Sequence, residues 1–168
     1  GENDGIILNV NTNYAIDVKI EGYDNVGGLV GDSKKRINLN TNYISATITA
    51  INSNVGGLVG TLDNSDMTAI SNTSYIYNNY IANADINGNR NVGGLVGEIQ
   101  NELYMPEDFY YGNYVETDIK GNDSVSLGIG NIPNQNQYLK DTYYYQYSTI
   151  NGENPTEQNE IFILQDNY

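Results

Sequence analysis

The sequence predicts an all-β fold: a parallel β-helix, or β-solenoid, of about four to five rungs that ends in an atypical C-terminal cap. Two observations lead to this prediction. The hexamer Val-Gly-Gly-Leu-Val-Gly occurs three times, at 26–31, 55–60 and 92–97. Ahead of the hexamers, segments such as 16–20 and 44–49 alternate apolar residues, many of them β-branched, with polar ones. Such alternation favours strands over helices, and a motif that recurs along the chain is typical of a repeat architecture.

The spacing of the hexamers predicts one turn of the solenoid per repeat. A fourth, degenerate copy lies at 125–130, so the first valines of successive copies are 29, 37 and 33 residues apart. These periods fall in the range in which one repeat forms one turn. A tyrosine lies 12 residues before each of the first three valines and 11 before the fourth, at Tyr14, Tyr43, Tyr80 and Tyr114. The connection from each hexamer to the next tyrosine varies in length, so we expect all insertions on one side of the stack.

The chain is expected to be one domain and a piece of a longer protein. The repeat region, 1–130, contains units at about 7–31, 37–60, 74–97 and 108–130. Residues 131–168 are interpreted as a degenerate last unit and a C-terminal cap, which a repeat stack needs to cover its open edge. At about 4.8 Å per rung the stack is only about 20–25 Å tall, which is short for a rod.

The hexamer predicts both the interior and a corner of each turn. Identical positions of stacked turns form columns, so Val and Leu columns are expected to make a continuous core. Gly-Gly allows either a corner with positive φ or a close approach of two backbones without a Cβ, and the sequence leaves both explanations open. The predicted core residues are Val26, Leu29, Val30, Val55, Leu58, Val59, Val92, Leu95 and Val96.

Composition excludes several partners. Seven Lys and Arg stand against 21 Asp and Glu, a net charge of −14, so nucleic acid and anionic membrane surfaces are repelled. The longest apolar runs are far shorter than a bilayer requires, and we expect no membrane insertion. Cysteine is absent, so the chain has neither a disulfide framework nor a thiolate metal site.

The hexamers, with their upstream Asn-Tyr pair and Ile-x-Gly, resemble the GLUG motif repeat over roughly residues 7–152. The Gly-Leu-x-Gly core of that motif occurs here at 28–31, 57–60 and 94–97. GLUG repeats are found in bacterial cell-surface and secreted proteins, including adhesin-like proteins and the non-catalytic region of immunoglobulin A-cleaving zinc metallopeptidases. The resemblance therefore implies an extracellular or cell-surface structural and adhesive module, or else an accessory domain of such a peptidase, packed against neighbouring repeats of its parent chain.

Catalysis by this chain is not expected. It contains no histidine, which removes Ser-His-Asp and Cys-His catalysis and a His-Glu-x-x-His zinc site from this segment. A weaker alternative is a carbohydrate-active β-helix enzyme, with Glu107, Asp108, Asp118 and Asp123 as candidate carboxylates. Calcium ligands are conceivable at Asp24, Asp63, Asp66 and Asp123, but turns favour Asp for conformational reasons, and we predict no metal and no cofactor.

Tyrosine carries the predicted binding function. The chain has 16 Tyr against two Phe and no Trp, and the phenol combines a flat apolar face with a polar tip that suits sugars and proteins. Tyr104, Tyr110 and Tyr111 lie in an inserted connection, where binding residues concentrate. We predict that these three contact a host protein or glycan, while the tyrosines at fixed positions before the hexamers form a packed ladder. The basic cluster 34–36 is read as a solvated turn.

Overall fold

In the computed structural model, the described residues are 2–3, 7–63, 74–100, 110–132, 139–140, 142–155 and 162–164; residues 2, 3, 110, 139, 140 and 162–164 are described by their backbone alone. All helix or strand elements in these ranges are β-strands. The strands stack in parallel as a β-solenoid, so the predicted fold class is confirmed. The stack has about three turns, slightly fewer than the four to five rungs expected.

The strands follow one another in a repeating order. They are β1 Glu2–Asn3, β2 Ile7–Asn11, β3 Tyr14–Gly27, β4 Val30–Ser33, β5 Arg36–Asn40, β6 Tyr43–Gly56, β7 Val59–Asp63, β8 Tyr75–Tyr77, β9 Tyr80–Asn87, β10 Arg90–Gly93, β11 Val96–Gln100, β12 Tyr110–Tyr111, β13 Tyr114–Lys120, β14 Asp123–Ser126, β15 Ile129–Asn131, β16 Leu139–Lys140, β17 Tyr143–Tyr145, β18 Thr149–Ile150 and β19 Phe162–Leu164.

Three parallel sheets form the sides of the solenoid. The entry sheet has the order β16-β12-β8-β5-β2, and the hexamer sheet has the order β1-β4-β7-β11-β15. Between them lies the long sheet, β14-β10-β6-β9-β13-β17-β19, which β3 joins through β6 and β18 through β13. Each turn passes from the entry sheet through the long sheet to the hexamer sheet. The connections of variable length therefore all run from the hexamer sheet back to the entry sheet.

Identical hexamer positions lie in register from turn to turn. Val55 pairs with Val26 on one side and with Val92 on the other, and Val59 pairs in the same way with Val30 and Val96. These six valines are buried. Of the other predicted core residues, Leu58 and Leu95 are fully buried, while Leu29 of the first turn is partly buried against the core.

The Gly-Gly corner is explained by close approach of backbones. A Cβ on Gly28 would overlap the carbonyl oxygen of Gly57 in the next turn, and a Cβ on Gly57 would overlap that of Gly94. Neither Gly28 nor Gly57 has a positive φ angle. Positive φ angles occur instead at the residue before the hexamer, with φ of 55° at Asn25, 60° at Asn54 and 55° at Asn91. Asparagine tolerates this left-handed conformation, so it supplies the bend while glycine supplies the space.

A ladder of asparagines forms the opposite corner, between the entry sheet and the long sheet. Its members are Asn13, which is exposed, and the buried Asn42, Asn79 and Asn113. The backbone N–H and the side-chain amide of Asn42 both donate to Asn79 Oδ1, at 3.1 and 2.9 Å. Asn79 donates to Asn113 Oδ1 in the same two ways, at 3.1 and 3.0 Å. The ladder also satisfies backbone carbonyls that the corner would otherwise leave unpaired, including Leu39 O at 3.0 Å.

We predict that Gly57→Ala destabilises the solenoid by about 3 kcal/mol or more, because the added methyl group must push two backbones apart rather than displace a side chain. The measurement is the midpoint and free energy of urea unfolding, followed by circular dichroism. Ser126→Ala is the control, since Ser126 is the counterpart in the degenerate copy of Gly93, the neighbouring glycine of the corner, and already carries a Cβ. It loses only the hydrogen bond from Gly128 N–H, worth about 1 kcal/mol. Equal effects of the two substitutions would contradict the close-approach explanation.

Asn79→Ala is expected to cost about 3 kcal/mol or more, since it leaves buried donors of Asn42 and the buried Leu39 carbonyl without partners, each at about 1–3 kcal/mol. Asn13→Ala removes the same side chain at the exposed end of the ladder, where the Asn13 backbone N–H still reaches Asn42 Oδ1. Unfolding in urea should separate the two variants clearly. If Asn13→Ala is as damaging as Asn79→Ala, the ladder does not stabilise the fold through burial of its amides.

Candidate binding groove

A groove opens on the outer surface of the long sheet, where neighbouring turns differ by one residue. The pairing of β9 with β13 shifts between Val115 and Thr117, and the extra residue in β9, Asn83, takes a positive φ of 48°. In the turn of the solenoid that follows β13, the strand that would pair with β13 along its whole length is interrupted. Residues 146–147 form a turn that separates β17 from β18. These irregularities lift side chains out of the sheet and leave a depression between them.

The groove has a volume of about 310 Å³ and is polar. Its lining residues come from three successive turns: Asn83, Ala84, Asp85, Glu116, Thr117, Asp118, Tyr145, Tyr147 and Ser148. Ala84, Thr117 and Ser148 are buried, and the outward-pointing Asp85 and Asp118 are exposed. Small buried residues thus form the floor, while acidic and aromatic side chains form the walls.

Hydrogen bonds between turns hold the floor in place. Thr117 Oγ1 donates to the Ala84 carbonyl at 2.8 Å, and the Thr117 backbone N–H donates to Ser148 Oγ at 3.1 Å. Both hydroxyls are buried, so their bonds replace the backbone pairs that the register shift interrupts. The floor is therefore a fixed part of the stack.

The walls bring like charges together. Asp85 and Asp118 are paired in register on adjacent strands of the long sheet, and Glu116 lines the same groove. Asp118 Oδ1 accepts a hydrogen bond of 2.6 Å from Thr149 Oγ1. Like charges placed opposite each other across a sheet repel, so the groove favours an occupant that supplies hydrogen-bond donors or positive charge.

Two tyrosines complete the groove. The rings of Tyr145 and Tyr147 meet edge to face, with centroids 5.2 Å apart, and Tyr147 is 68 % exposed. An exposed ring beside carboxylates offers an apolar face next to strong acceptors, a combination that suits the C–H face and hydroxyls of a sugar. Of the three tyrosines chosen from the sequence, Tyr111 is the one whose side chain is described, and it does not line this groove.

Of the predicted binding tyrosines, the structure places the side chain of Tyr111 alone. Tyr104 lies outside the described residues, and Tyr110 is described by its backbone, in β12. Tyr111 belongs to the entry sheet and stacks on Tyr77 of the preceding turn, with ring centroids 5.2 Å apart. The ring of Tyr111 therefore contacts the neighbouring turn. The binding role of Tyr104 and Tyr110 stays a prediction.

The other candidate residues are scattered. Among the carboxylates considered for catalysis, Glu107 and Asp108 lie outside the described residues, Asp118 lines the groove, and Asp123 is exposed in β14. Among the calcium candidates, Asp66 lies outside the described residues, and Asp24 accepts hydrogen bonds from the next turn. Within the described ranges, no group of three or more acidic side chains is arranged to hold a metal ion.

Tyrosines at the fixed position before the hexamer form a stacked ladder on the long sheet. The ring centroids of Tyr14, Tyr43, Tyr80 and Tyr114 are 6.2, 5.5 and 4.3 Å apart in turn. Burial between the neighbouring rings raises the pKa of Tyr80, and the charge of Glu116 acts in the same direction. The ladder and the groove share two strands. Tyr80 and Tyr114 are the first residues of β9 and β13, and both strands contribute residues to the groove.

One polar cluster on the hexamer sheet was not predicted from the sequence. Glu98 accepts hydrogen bonds from four side-chain amides, those of Asn54, Asn91, Gln100 and Asn131, at 2.6–3.2 Å. The four amides come from three turns, so the carboxylate joins turns rather than facing a ligand. The repeated asparagine before each hexamer would have been the clue.

The fold defines this chain as a β-solenoid repeat protein. Searches of family models, of curated proteins and of solved structures find no significant match to it. In the described part of the chain, no helix is long and apolar enough to cross a membrane.

Among the described residues, Asp24 is a carboxylate whose titration is expected to affect stability through a specific contact. The Ser53 hydroxyl donates to Asp24 Oδ1 at 2.6 Å and is the main cause that lowers the pKa of Asp24 below its ordinary value of 3.8, with Asn52, the Ser53 N–H and Arg90 adding to it against the effect of burial. A lowered pKa means that the ionised form stabilises the folded chain at pH values above the unfolded pKa, and this contribution is lost as the pH falls through the folded pKa.

Asp24→Asn is therefore expected to lower the melting temperature slightly at pH values above the ordinary pKa of 3.8, and the difference from the unchanged chain should shrink as the pH falls below 3.8. Thermal melts across this range test it. Asp17→Asn, on the same exposed strand, is the control for the loss of one surface charge. A constant offset at every pH would mean that the contact does not depend on the charge.

Proposed function

We propose that this chain is a non-catalytic structural and adhesive repeat module of a bacterial cell-surface or secreted protein, related to the GLUG motif repeats. It holds other parts of its parent protein away from a surface, and it binds a host glycan or protein through the groove on the long sheet. Its setting is extracellular.

The observation that carries the proposal is the use of the repeated residues. Every residue type that recurs from copy to copy serves stacking: the valines form the core, the glycines admit the neighbouring backbone, and the asparagines and tyrosines form ladders. A repeat whose recurring residues are all used in contacts between turns is suited to a scaffold role. The residues left for recognition are those that differ between turns.

The groove supports the adhesive part of the proposal. It is concave, its walls combine the exposed ring of Tyr147 with three carboxylates, and its floor is fixed by hydrogen bonds. Carboxylates accept hydrogen bonds strongly from sugar hydroxyls, and aromatic rings pack on the apolar faces of sugars. We therefore place a neutral, hydroxyl-rich glycan first among the ligands.

A glycan array probed with the whole chain, followed by calorimetric titration of any hit, tests this function. The variant Tyr147→Ala with Asp85→Asn should weaken binding at least about tenfold, equivalent to about 1.4 kcal/mol. Tyr23→Ala removes a comparably exposed tyrosine far from the groove and should bind as the unchanged chain does. Circular dichroism confirms that each variant is folded.

A second variant separates the two candidate surfaces. Tyr110→Ala with Tyr111→Ala alters the entry sheet and leaves the groove intact. Loss of binding in this variant alone would assign recognition to the inserted connection rather than to the groove. If the array gives no hit and the chain binds no host surface protein, the adhesive part of the proposal is wrong and the module is a spacer. Release of reducing sugar from a polysaccharide panel would contradict the non-catalytic assignment.

A further inference from the structure

The outer face of the long sheet continues from the groove onto β6, and two columns of side chains run along it. One column is the tyrosine ladder, which contains Tyr43 on β6. The second column pairs in register from strand to strand and consists of Thr47, Asp85, Asp118 and Thr149. Asp85 and Asp118 form a wall of the groove, and Thr47 continues that wall on β6. The same two walls therefore recur from turn to turn.

Small residues lie between the two columns next to the groove. On β6 this residue is Ser45, and on β9 it is Ala82; both lie where the pairing of β6 with β9 shifts. Residues 44, 46 and 48 belong to the core, so Ser45 points outward, because side chains alternate along a strand. Ser45 is 7 % exposed and Ala82 is 2 % exposed. Low residues between two taller columns form a trough that leads into the groove.

The trough contains a buried hydroxyl group without a partner. None of the described residues makes a hydrogen bond with the Ser45 side chain. By contrast, the buried hydroxyls of the groove floor, Thr117 and Ser148, are both hydrogen-bonded. Buried polar groups in proteins nearly always have a hydrogen-bond partner, so this exception needs an explanation. The Ser45 oxygen is not sealed off from solvent, and its partner can therefore come from outside the chain.

The Thr47 side chain is also available beside the trough. Thr47 is exposed, and no residue in the described part of the chain makes a hydrogen bond with its hydroxyl. Tyr43 stands on the other side of Ser45, with its ring stacked on that of Tyr80. A hydroxyl on the floor, a second hydroxyl on one wall and an aromatic ring on the other repeat the polar and aromatic character of the groove.

We propose that the ligand of the groove is a linear, neutral oligosaccharide that lies lengthwise along the solenoid axis, with a further subsite for it formed on β6 by Tyr43, Ser45 and Thr47. This inference rests on the proposed function. Walls that recur from turn to turn suit a ligand whose units also recur, and a sugar hydroxyl supplies the missing partner of Ser45. The ligand is neutral because the carboxylates of the groove repel an anionic one.

Chain length is the variable that tests lengthwise binding. Cello-, malto- and laminari-oligosaccharides, from disaccharide to hexasaccharide, are titrated against the whole chain by NMR, which also measures weak binding. Affinity should rise with length until the ligand reaches from the groove to β6. Ser45→Ala should weaken hexasaccharide binding about fivefold, the ordinary effect of one hydrogen bond, and leave disaccharide binding unchanged. Its free energy of unfolding should not fall, whereas a hydroxyl with a merely structural role would be missed in urea unfolding.

A second variant blocks the trough instead of removing a hydrogen bond. Thr47→Arg places a long side chain beside Ser45, so the hexasaccharide should bind no better than the disaccharide, which still fits the groove. Ile51→Arg is the matched control, because Ile51 lies on the same strand and is 69 % exposed but stands farther from Ser45. It should leave the gain in affinity with chain length intact.

The outcomes separate this inference from the function on which it rests. Equal affinity for short and long oligosaccharides, equal effects of Thr47→Arg and Ile51→Arg, or binding of branched glycans alone would overturn lengthwise binding and leave the groove as the binding site. Tyr147→Ala with Asp85→Asn should weaken the disaccharide as well as the hexasaccharide, because it alters the groove itself. If no oligosaccharide binds here or on the glycan array, both the inference and the glycan-binding function are wrong.

Discussion

The distance between neighbouring turns is the constraint on which the rest of the structure depends. Parallel strands of adjacent turns must lie one strand spacing apart on every side, so each corner must bring two backbones equally close. At the hexamer corner only glycine leaves enough room, since a Cβ on Gly28 or Gly57 would overlap the next carbonyl oxygen. Once the turns are held at this spacing, identical side chains stack directly on one another, and the valine, asparagine and tyrosine ladders follow.

The same constraint divides the residues into two groups with different roles. Columns that run through the interior or along a corner tolerate few side chains, and there the repeats agree. Outside these columns the turns can differ, and their differences generate the surface: Asn83 adds a residue to β9, the chain turns at 146–147, and the groove forms between them. The cluster around Glu98 belongs to the first group although its members are polar, because its four amides reach it from different turns.

Periodicity made the architecture predictable, since strands, turns and core columns all repeat with the hexamer. It could not decide between the two explanations of Gly-Gly, because positive φ and close approach both require glycine; the bend itself belongs to Asn25 and its counterparts. The groove was missed for a related reason. Its walls combine Asp85, Glu116 and Tyr147, which lie on different turns and share no sequence pattern, so only the register between turns brings them together.

The glycine column also explains why the two ends of the stack differ. A Cβ at this position points towards the following turn, so glycine is required wherever another hexamer stacks on that side. Gly94 is still covered by the degenerate copy, whereas Leu127 itself has no hexamer after it and fills the interior with its own side chain. The first hexamer keeps its glycines because the second one covers it. The first hexamer therefore makes the same backbone contact with the next turn as the second, whereas the degenerate copy replaces that contact with a buried side chain.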